Sequence, residues 1–419
     1  MLIQFNFSNY KSFMNNSTLD LSAAKMTEFS DRVVTVANEK ILPVAAIFGA
    51  NASGKSNVYS AFEFMSMYVV QSFNYGDDDK TFQERRPTPF LFSDDTEKKD
   101  TSFEVYFTIP EDKKERVYNY GFCIGLNGIS EEWLNYRSKT ARSFSPVFYR
   151  GEDTLDLKGL PKASRDNIEV ALNKQVLVVS LGAKLKVMEC KQIRDWFLNN
   201  EFTDFANFFT SFVMHSRLPK GFVSDPNVRA DVAKYLSTFD ETIKDFRVEE
   251  ILSDNNSDKD HSYKVSAIHK KIDSEELAEI PLGEESAGTL KMFALYPELQ
   301  SVLQNGGVFF IDELNARLHP LLVRNFVLTF LNPKINKKHA QLVFTTHETW
   351  LLSNQLLRRD EIWFTEKDPR GVSTLYSLAD FVDDDGARIR KDENYEKNYL
   401  WGKYGAIPTL KSIDFEKEE

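Results

Sequence analysis

The stretch that decides the fold is Ile47-Phe48-Gly49-Ala50-Asn51-Ala52-Ser53-Gly54-Lys55-Ser56. It matches G-x-x-x-x-G-K-S, the phosphate-binding loop known as Walker A. Its two glycines permit backbone angles closed to other residues, so that successive N–H groups converge on phosphate oxygens. The lysine of this motif reaches the β- and γ-phosphates, and its serine hydroxyl ligates Mg²⁺. The stretch therefore predicts a nucleotide site that uses Lys55 and Ser56 in these roles.

The segments on either side of the loop favour this interpretation. The apolar run 42–48 is typical of a buried strand, and 58–70 has helical spacing. A helix that starts at the loop directs its partial positive charge at the phosphates. The alternative, a glycine turn that matches the motif by chance, does not account for a strand before it and a helix after it.

Composition sets limits on the class of protein. The chain has 419 residues, of which 42% are hydrophobic and 27% charged, as in ordinary globular proteins. A net charge of −11 argues against a generally basic nucleic-acid binder, although a local basic groove stays open. Cys123 and Cys190 show no metal-ligand spacing, which favours reduced core cysteines. Without a visible signal peptide or membrane span, we expect a soluble cytoplasmic protein.

We expect two halves of one nucleotide-binding core to flank a long insert. Closely spaced strands at 101–150 predict an antiparallel sheet, and 162–239 has largely helical periodicity. Residues 77–98 read as an exposed loop, and 246–252 and 263–269 as a strand pair joined by a polar tip. The expected segments are the N-terminal core (1–74), a β-rich lobe (75–160), a helical insert with a strand pair (161–273) and the C-terminal core (274–419).

A second motif, Val308-Phe309-Phe310-Ile311-Asp312-Glu313, places two carboxylates after an apolar run. A buried strand of this kind ends beside the phosphate loop, where Asp312 can hold Mg²⁺. Glu313 is then placed to orient and deprotonate the water that attacks the γ-phosphate. Asp312 and Glu313 therefore predict the part of the nucleotide site that binds Mg²⁺ and activates water.

Two further sites are weaker when taken alone. Ser286-Ala287-Gly288 lies just before a segment with helical spacing, and a helix N-terminus attracts anions. The alternative is that Ser286 only caps this helix. His347 follows the apolar run 340–344, where a histidine can hydrogen-bond the γ-phosphate or the attacking water. An isolated histidine would more often be structural, so the order of the motifs decides its interpretation.

That order resembles the ABC-type ATPases, which include transporter ATPases and the SMC-like and RecF-like DNA-repair ATPases. The long insert between Lys55 and Asp312 is similar to the SMC-like and RecF-like branch. The resemblance implies an α/β P-loop NTPase of ABC/SMC-head type. Its mixed β-sheet core would carry an antiparallel β lobe and a helical insert. The N-terminal stretch from Asn9 to Phe13 also resembles the "NFRS" start of this class, which brings Lys11 toward the nucleotide.

The resemblance implies ATP and Mg²⁺ as cofactors, with Lys55, Glu313 and His347 as catalytic residues. Ser56 and Asp312 would be the metal ligands. Ser286 and Gly288 would contact the γ-phosphate of a nucleotide held by a partner subunit. The functional unit would then be an ATP-sandwich dimer, and assembly into a higher oligomer stays open. The implied nucleotide-binding residues are Gly49, Asn51, Ser53, Gly54, Lys55, Ser56, Asn57, Lys11, Ser286 and Gly288.

Two features depart from the pattern of the class. Asn315 stands where the aspartate of the "DE-hydrophobic-D" stretch is usual, so communication between subunits through this loop is expected to differ. The glutamine that usually ligates Mg²⁺ has no clear counterpart, and Gln71 and Gln83 are the two candidates.

The C-terminal region narrows the resemblance. Tyr376–Phe381 and Asn398–Pro408 look like the "LSDF … YLxGRYGAIP" tail of the RloA/AbiL-type ATPases of abortive-infection and phage-defence loci. This implies a sensor or regulator that responds to a phage protein and controls a separately encoded effector, a Toprim-type nuclease. The stretch after His347 is too short for the nuclease domain fused to OLD-type relatives. The acidic run at 383–385 reads as a solvated turn.

Two other functions stay open at this stage. The first is a RecF- or SMC-like ATPase that acts on DNA directly, which the acidic charge and the lack of a long coiled coil disfavour. The second is a scaffold that binds ATP in order to assemble and turns over little.

Overall fold

The chain forms a mostly parallel sheet and an antiparallel sheet, connected by helices. The computed structural model describes residues 1–75, 79–110, 112–205, 218–251, 262–383 and 386–408. The strands are β1 Leu2–Ser8, β2 Ser17–Asp20, β3 Val34–Val36, β4 Glu39–Ile41, β5 Val44–Gly49, β6 Thr101–Thr108, β7 Arg116–Gly125, β8 Gly128–Ser138, β9 Ser145–Arg150, β10 Leu155–Asp156, β11 Glu201–Asp204, β12 Ile243–Ile251, β13 Ser262–Lys270, β14 Leu277–Pro281, β15 Val308–Asp312, β16 Gln341–Thr345, β17 Ile362–Lys367 and β18 Ser373–Ser377. The helices are α1 Lys55–Gln71, α2 Asp79–Arg85, α3 Asp94–Glu97, α4 Lys162–Ala171, α5 Val178–Lys184, α6 Met188–Leu198, α7 Pro226–Leu236, α8 Ala287–Asn305, α9 Pro320–Leu331 and α10 Tyr395–Leu400.

The parallel sheet carries the motifs. Its strand order is β11-β15-β16-β5-β17-β18, and only β18 runs antiparallel to its neighbour. Strands β5, β15 and β16 are buried along their whole length, because helices and the second sheet cover both faces. The α/β P-loop class expected from the sequence is confirmed, and the carboxyl ends of these strands meet at one edge.

The antiparallel sheet has seven strands in the order β10-β9-β8-β7-β6-β1-β2. Strand β1, in the segment 1–74 that we expect to belong to the N-terminal core, pairs with β6 and continues the sheet of the β-rich lobe. The physical reason is the alternation in β1, whose buried Phe5 and Phe7 match the buried positions of β6.

Helix α1 lies between the two sheets. The ring of Phe62 is 5.1 Å from that of Phe5 in β1 and 6.2 Å from that of Phe310 in β15. Because α1 is buried on both sides, the direction in which it leaves the phosphate loop is fixed by packing as well as by the loop itself.

The insert contains a strand that the helical periodicity did not predict. Within 162–239, helices α4 to α7 are present, but β11 joins the parallel sheet beside β15. The prediction is wrong there because a four-residue strand between helices leaves no periodic signal. Residues 206–217, in the same stretch, lie outside the described residues. The predicted strand pair is confirmed as β12 and β13, and β14 adds a third strand. The tip of that pair, 252–261, also lies outside the described residues.

The segment expected to be an exposed loop is partly helical and partly buried. Residues 79–98, expected to be an exposed loop, contain α2 and α3 and bury Phe82 and Phe90. Cys190 is buried, Cys123 is partly buried, and both are free thiols. No helix in the described part of the chain is long and apolar enough to span a membrane.

The side chain of Gln341 joins the two sheets. Its Oε1 accepts from the backbone N–H of Leu2 at 2.6 Å, and its Nε2 donates to the carbonyls of Leu2 and Leu42 at 2.8 and 3.0 Å. Gln341 is fully buried at the start of β16, whereas Leu2 begins β1 in the other sheet. The amide therefore satisfies three backbone groups at the sheet junction that water does not reach.

Replacing this amide should destabilise the fold. Gln341→Leu keeps the volume but leaves three buried backbone groups without this partner, so we expect a loss of about 2–4 kcal/mol in the free energy of unfolding. Urea denaturation followed by circular dichroism measures it. Gln355→Leu, at an exposed position, is the control and should change the free energy by less than about 0.5 kcal/mol. Equal effects of the two substitutions would contradict the bridging role.

Candidate nucleotide site

The phosphate loop leaves β5 at Gly49 and enters α1 through Gly54, the residue before the first helical turn. Both glycines have positive φ angles, 154° and 118°. A Cβ at Gly49 would lie 2.5 Å from the carbonyl oxygen of Thr365, and one at Gly54 would lie 2.7 Å from Oγ of Ser373. The β17–β18 hairpin therefore packs so closely on the loop that only glycine fits at either position.

Lys55 is buried and folds back across the loop. Its Nζ donates to the carbonyl oxygens of Gly49 and Ala50, each at 3.0 Å. Burial lowers the pKa of Lys55 to about 8, while the charges of Glu313 and Asp312 oppose this shift. A partly desolvated ammonium at the mouth of a loop of backbone N–H groups is suited to gain from an anionic ligand.

The polar side chains of the loop have two different surroundings. Asn51 and Ser56 are exposed, so both can reach a ligand. Ser53 is buried, and its Oγ lies 2.6 Å from Oγ1 of Thr365. The Asn57 amide donates to Oγ of Ser12 at 2.7 Å. The side chains of Ser53 and Asn57 therefore brace the loop against neighbouring segments, and contact with a nucleotide is left to their backbone.

Thr345 binds the carboxylate of Asp312 and the backbone of Glu313 at the end of β15. Its Oγ1 donates to Oδ1 of Asp312 at 2.5 Å and accepts from the backbone N–H of Glu313 at 2.9 Å. Asp312 is buried, and Glu313 adopts a left-handed φ of 54° that turns its side chain away from the strand direction. One hydroxyl from the adjacent strand β16 thus fixes the two residues that the second motif predicted.

His347 lies next to this pair. Its Nε2 is 3.7 Å from Oε1 of Glu313, and both side chains are about one third exposed, at 34% and 33%. Burial, followed by the nearby charge of Lys55, lowers the pKa of His347, while Asp312 and Glu348 oppose the shift. The imidazole is therefore neutral at pH 7, when it can both donate and accept a hydrogen bond.

Asn315 has a defined structural role in place of the usual aspartate. Its Oδ1 accepts from Oγ1 of Thr346 at 2.9 Å and from the backbone N–H of His347 at 3.3 Å. The amide oxygen reproduces what a carboxylate would accept, without the negative charge. It connects the turn after Glu313 to the segment that carries His347.

The residues at this edge fit a nucleotide with Mg²⁺. A hydroxyl and a carboxylate, from Ser56 and Asp312, are oxygen ligands of the kind Mg²⁺ prefers, and phosphate oxygens and water complete its shell. In the described residues, His, Cys, Asp and Glu form no group of three suited to a metal by themselves. Of the acidic run 383–385, the last two residues lie outside the described residues.

The structure brings some predicted residues together and separates others. Nζ of Lys11 donates to Oγ of Ser60 at 2.8 Å, one helical turn beyond Ser56. Ser286 caps α8 by accepting from the N–H of Thr289 at 3.1 Å, as its structural interpretation required. Gly288 lies beside the carbonyl of Arg317. Within the described residues, no hydrogen bond joins Ser286 or Gly288 to the phosphate loop of the same chain.

Neither glutamine candidate lies at the site. Gln71 ends α1, roughly 22 Å along the helix from Ser56 at 1.5 Å per residue. The Gln83 amide donates to the carbonyl of Leu126 in the antiparallel lobe. The strand end beside Asp312 instead carries Asp204 of β11, in register with it. The charges of Asp204 and Asp312 both reach Lys11.

Sequence reasoning missed three residues. Asp204 was missed because it lies in a stretch predicted to be helical, where no strand end was expected. Thr345 was passed over in favour of His347, although its place at the end of a buried strand indicates a polar role. Lys291, in the second turn of α8, gave no signal except as a lysine at an apolar position of that helix.

Residues 44–353 match the family AAA_21, described as "AAA domain, putative AbiEii toxin, Type IV TA system". The chain belongs to this family. No curated protein matches it.

Among solved structures, this AAA-family chain is similar to two Smc heads. One is a Smc head bound to the C-winged helix domain of ScpA; the identity is 15%, the alignment covers 90% of this chain and 97% of that one, and the TM-score is 0.39. The other, derived from Pyrococcus furiosus, is a Smc head domain with an extended coiled coil bound to the C-terminal domain of ScpA; the identity is 16%, the coverage 90% and 96%, and the TM-score 0.41.

Nucleotide affinity should fall as the pH rises through about 8. Lys55 has a pKa of about 8 without ligand, and bound phosphates stabilise its ammonium, so binding above that pH requires the uptake of a proton. Calorimetry with a non-hydrolysable ATP analogue from about pH 7 to 9.5 should show Kd rising by up to about tenfold per pH unit above 8. Lys55→Met should bind weakly with no such slope. A wild-type Kd that stays flat contradicts the assignment.

Proposed function

We propose that the protein is an ATPase that uses Glu313 as its general base. The observation that carries this proposal is the meeting of Lys55, Asp312, Glu313 and His347 at one sheet edge, with Glu313 and His347 separated by 3.7 Å. Membership in a family of P-loop AAA domains supports it.

Each residue has a defined task in ATP hydrolysis. Lys55 exchanges its bonds to two loop carbonyls for contacts with the β- and γ-phosphates. Glu313 orients water for in-line attack on the γ-phosphorus and takes up its proton, and the bond to the β-γ bridging oxygen breaks to leave ADP and phosphate. The neutral His347 donates a hydrogen bond to the γ-phosphate. Ser56 and Asp312 would hold Mg²⁺, which would supply positive charge beside the phosphate oxygens.

The active unit is a dimer in this proposal. Ser286 and Gly288 lie at an exposed helix start that makes no hydrogen bond to its own phosphate loop within the described residues. The N-terminus of α8 is suited to bind a γ-phosphate presented by a second copy of the chain. Each nucleotide would then be held by Lys55 of one protomer and Ser286 of its partner.

In the cell, we propose a role as the ATP-dependent sensor or regulator of an anti-phage, abortive-infection system. The family description, which names a putative AbiEii toxin and a Type IV TA system, supports this setting. The tail at 398–408, similar to that of RloA/AbiL-type ATPases, supports a separate effector of the Toprim nuclease type. Detection of phage protein would alter the ATP-bound dimer and thereby release or activate that effector.

Glu313→Gln should abolish turnover while leaving binding intact. The amide keeps the size of the side chain but cannot take a proton, so kcat should fall by about 10²–10⁴-fold. Phosphate release measures kcat, and Kd for ATP should change by less than about threefold. Glu366→Gln, at the exposed end of β17, is the matched control. Hydrolysis by Glu313→Gln at the wild-type rate would show that another group acts as the base.

Mixing two inactive variants should restore activity if the site is composite. Ser286→Asp keeps the helix cap but repels phosphate, and Glu313→Gln lacks the base. A mixed dimer has one site with both defects and one intact site, so an equimolar mixture should turn over faster than either variant alone, by up to about a quarter of the wild-type rate. Lys55→Ala mixed with Glu313→Gln should recover none, because both defects lie in the same half-site. Failure of the first mixture to recover, with both proteins folded and dimeric, contradicts the composite site.

A further inference from the structure

Lys291 is a buried cation that the proposed chemistry does not use. It is 5% exposed, and its Nζ donates to the carbonyl oxygens of Leu314 at 3.0 Å and Ala316 at 2.5 Å. The ring of Phe205 lies beneath the ammonium, with its centroid 3.5 Å from Nζ. Two carbonyl dipoles and an aromatic face therefore compensate the buried charge.

These two carbonyls belong to the turn that presents Glu313. The turn begins with Glu313 at φ 54° and ends with Arg317 at φ 60°. A left-handed conformation is unfavourable for a non-glycine residue, so such a turn persists only when its surroundings hold it. Lys291 contributes to that restraint together with Thr345 and Asn315, since its Nζ draws the carbonyls of residues 314 and 316 toward one point.

The charges around Lys291 come from the same turn. Burial lowers the pKa of Lys291 to about 7, the charge of Glu313 opposes this, and Arg317 adds to it. Lys291 therefore interacts through charge with the residues at both ends of the turn and through hydrogen bonds with the carbonyls between them.

The same helix carries Ser286. Ser286 caps α8, and Lys291 follows within the second turn, about 7 Å along the axis at 1.5 Å per residue. Over this distance a helix moves as a rigid body. Any displacement of the Ser286 end is therefore transmitted to the ammonium, and from the ammonium to the turn.

We propose that Lys291 is a positioning residue that links the two half-sites of the dimer. When Ser286 contacts the nucleotide of the partner protomer, Lys291 sets the turn after β15 so that Glu313 of its own protomer faces the attacking water. ATP bound in one site thus prepares the base of the other. This inference rests on the proposed composite site, and it adds the path by which one site acts on its neighbour.

The first experiment replaces the ammonium. Lys291→Met keeps the length of the side chain without its charge, and Lys291→Arg restores a cation. We expect kcat of Lys291→Met to fall by about 10- to 100-fold with less than about a threefold change in Kd for ATP, and Lys291→Arg to recover part of the loss. Lys337→Met, at an exposed position after α9, is the matched control and should retain the wild-type kcat. Phosphate release and analogue binding give the two constants.

A second variant covers the case in which Lys291→Met does not fold. Phe205→Leu leaves Lys291 in place but removes the ring beneath it, and should lower kcat several-fold with Kd unchanged. A folded Lys291→Met with wild-type kcat overturns the proposal. Equal losses in kcat and affinity also overturn it, because they would show that Lys291 supports the fold or the binding loop in general.

A double-mutant cycle tests the link between the sites. If Lys291 transmits the effect of Ser286, the double variant Ser286→Ala/Lys291→Met should lose about as much kcat as the more severe single variant. If the losses multiply, the two residues act independently and the link is refuted. Absence of ATP hydrolysis by the wild type would instead refute the proposed function itself, so the two failures are distinguishable.

Discussion

The register of the parallel strands is the constraint on which the site depends. Asp204 is paired with Asp312, Ile311 with Phe344, and Thr345 with Ile47, so β11, β15, β16 and β5 end at the same edge. A shift of one residue in β16 would move Thr345 to the opposite face and release the Asp312 carboxylate and the Glu313 backbone N–H that it binds. Complete burial of these strands makes such a shift costly, so the precision of the site derives from the apolar core.

The antiparallel lobe is a second constraint, because it helps to fix the position of helix α1 and of the phosphate loop. Helix α1 packs against both sheets, and Gln341 connects their backbones at the start of β16. The helix that begins at Lys55 is thereby held by β1 as well as by β15. The N-terminal segment reaches the loop directly, since the Ser12 hydroxyl bonds to both Asn57 and Ser373. Residues 1–20 are therefore part of the support of the phosphate loop.

The sequence was informative where a chemical function requires a local pattern. The phosphate loop, Asp312 and Glu313 each follow a buried apolar run, and the structure has a strand at each of these places. It was uninformative where the partner is distant in sequence. The strand β11 is four residues long, so its helical surroundings determined the interpretation, and Asp204 was missed. The contacts of Lys291 are likewise with backbone carbonyls more than twenty residues away. A side chain's contact with a distant carbonyl produces no periodic pattern in the sequence.

Glu313 lies within reach of two buried ammonium groups. Its charge raises the pKa of Lys55 on the side of the phosphate loop and that of Lys291 on the side of α8, against the burial that lowers both. A phosphate that draws the Lys55 ammonium toward itself weakens one of these two attractions and leaves the other unchanged. The carboxylate then responds to nucleotide on its own loop through one lysine and to the helix that carries Ser286 through the other. In the proposed composite site, a carboxylate placed between two such cations would respond to the occupancy of both half-sites.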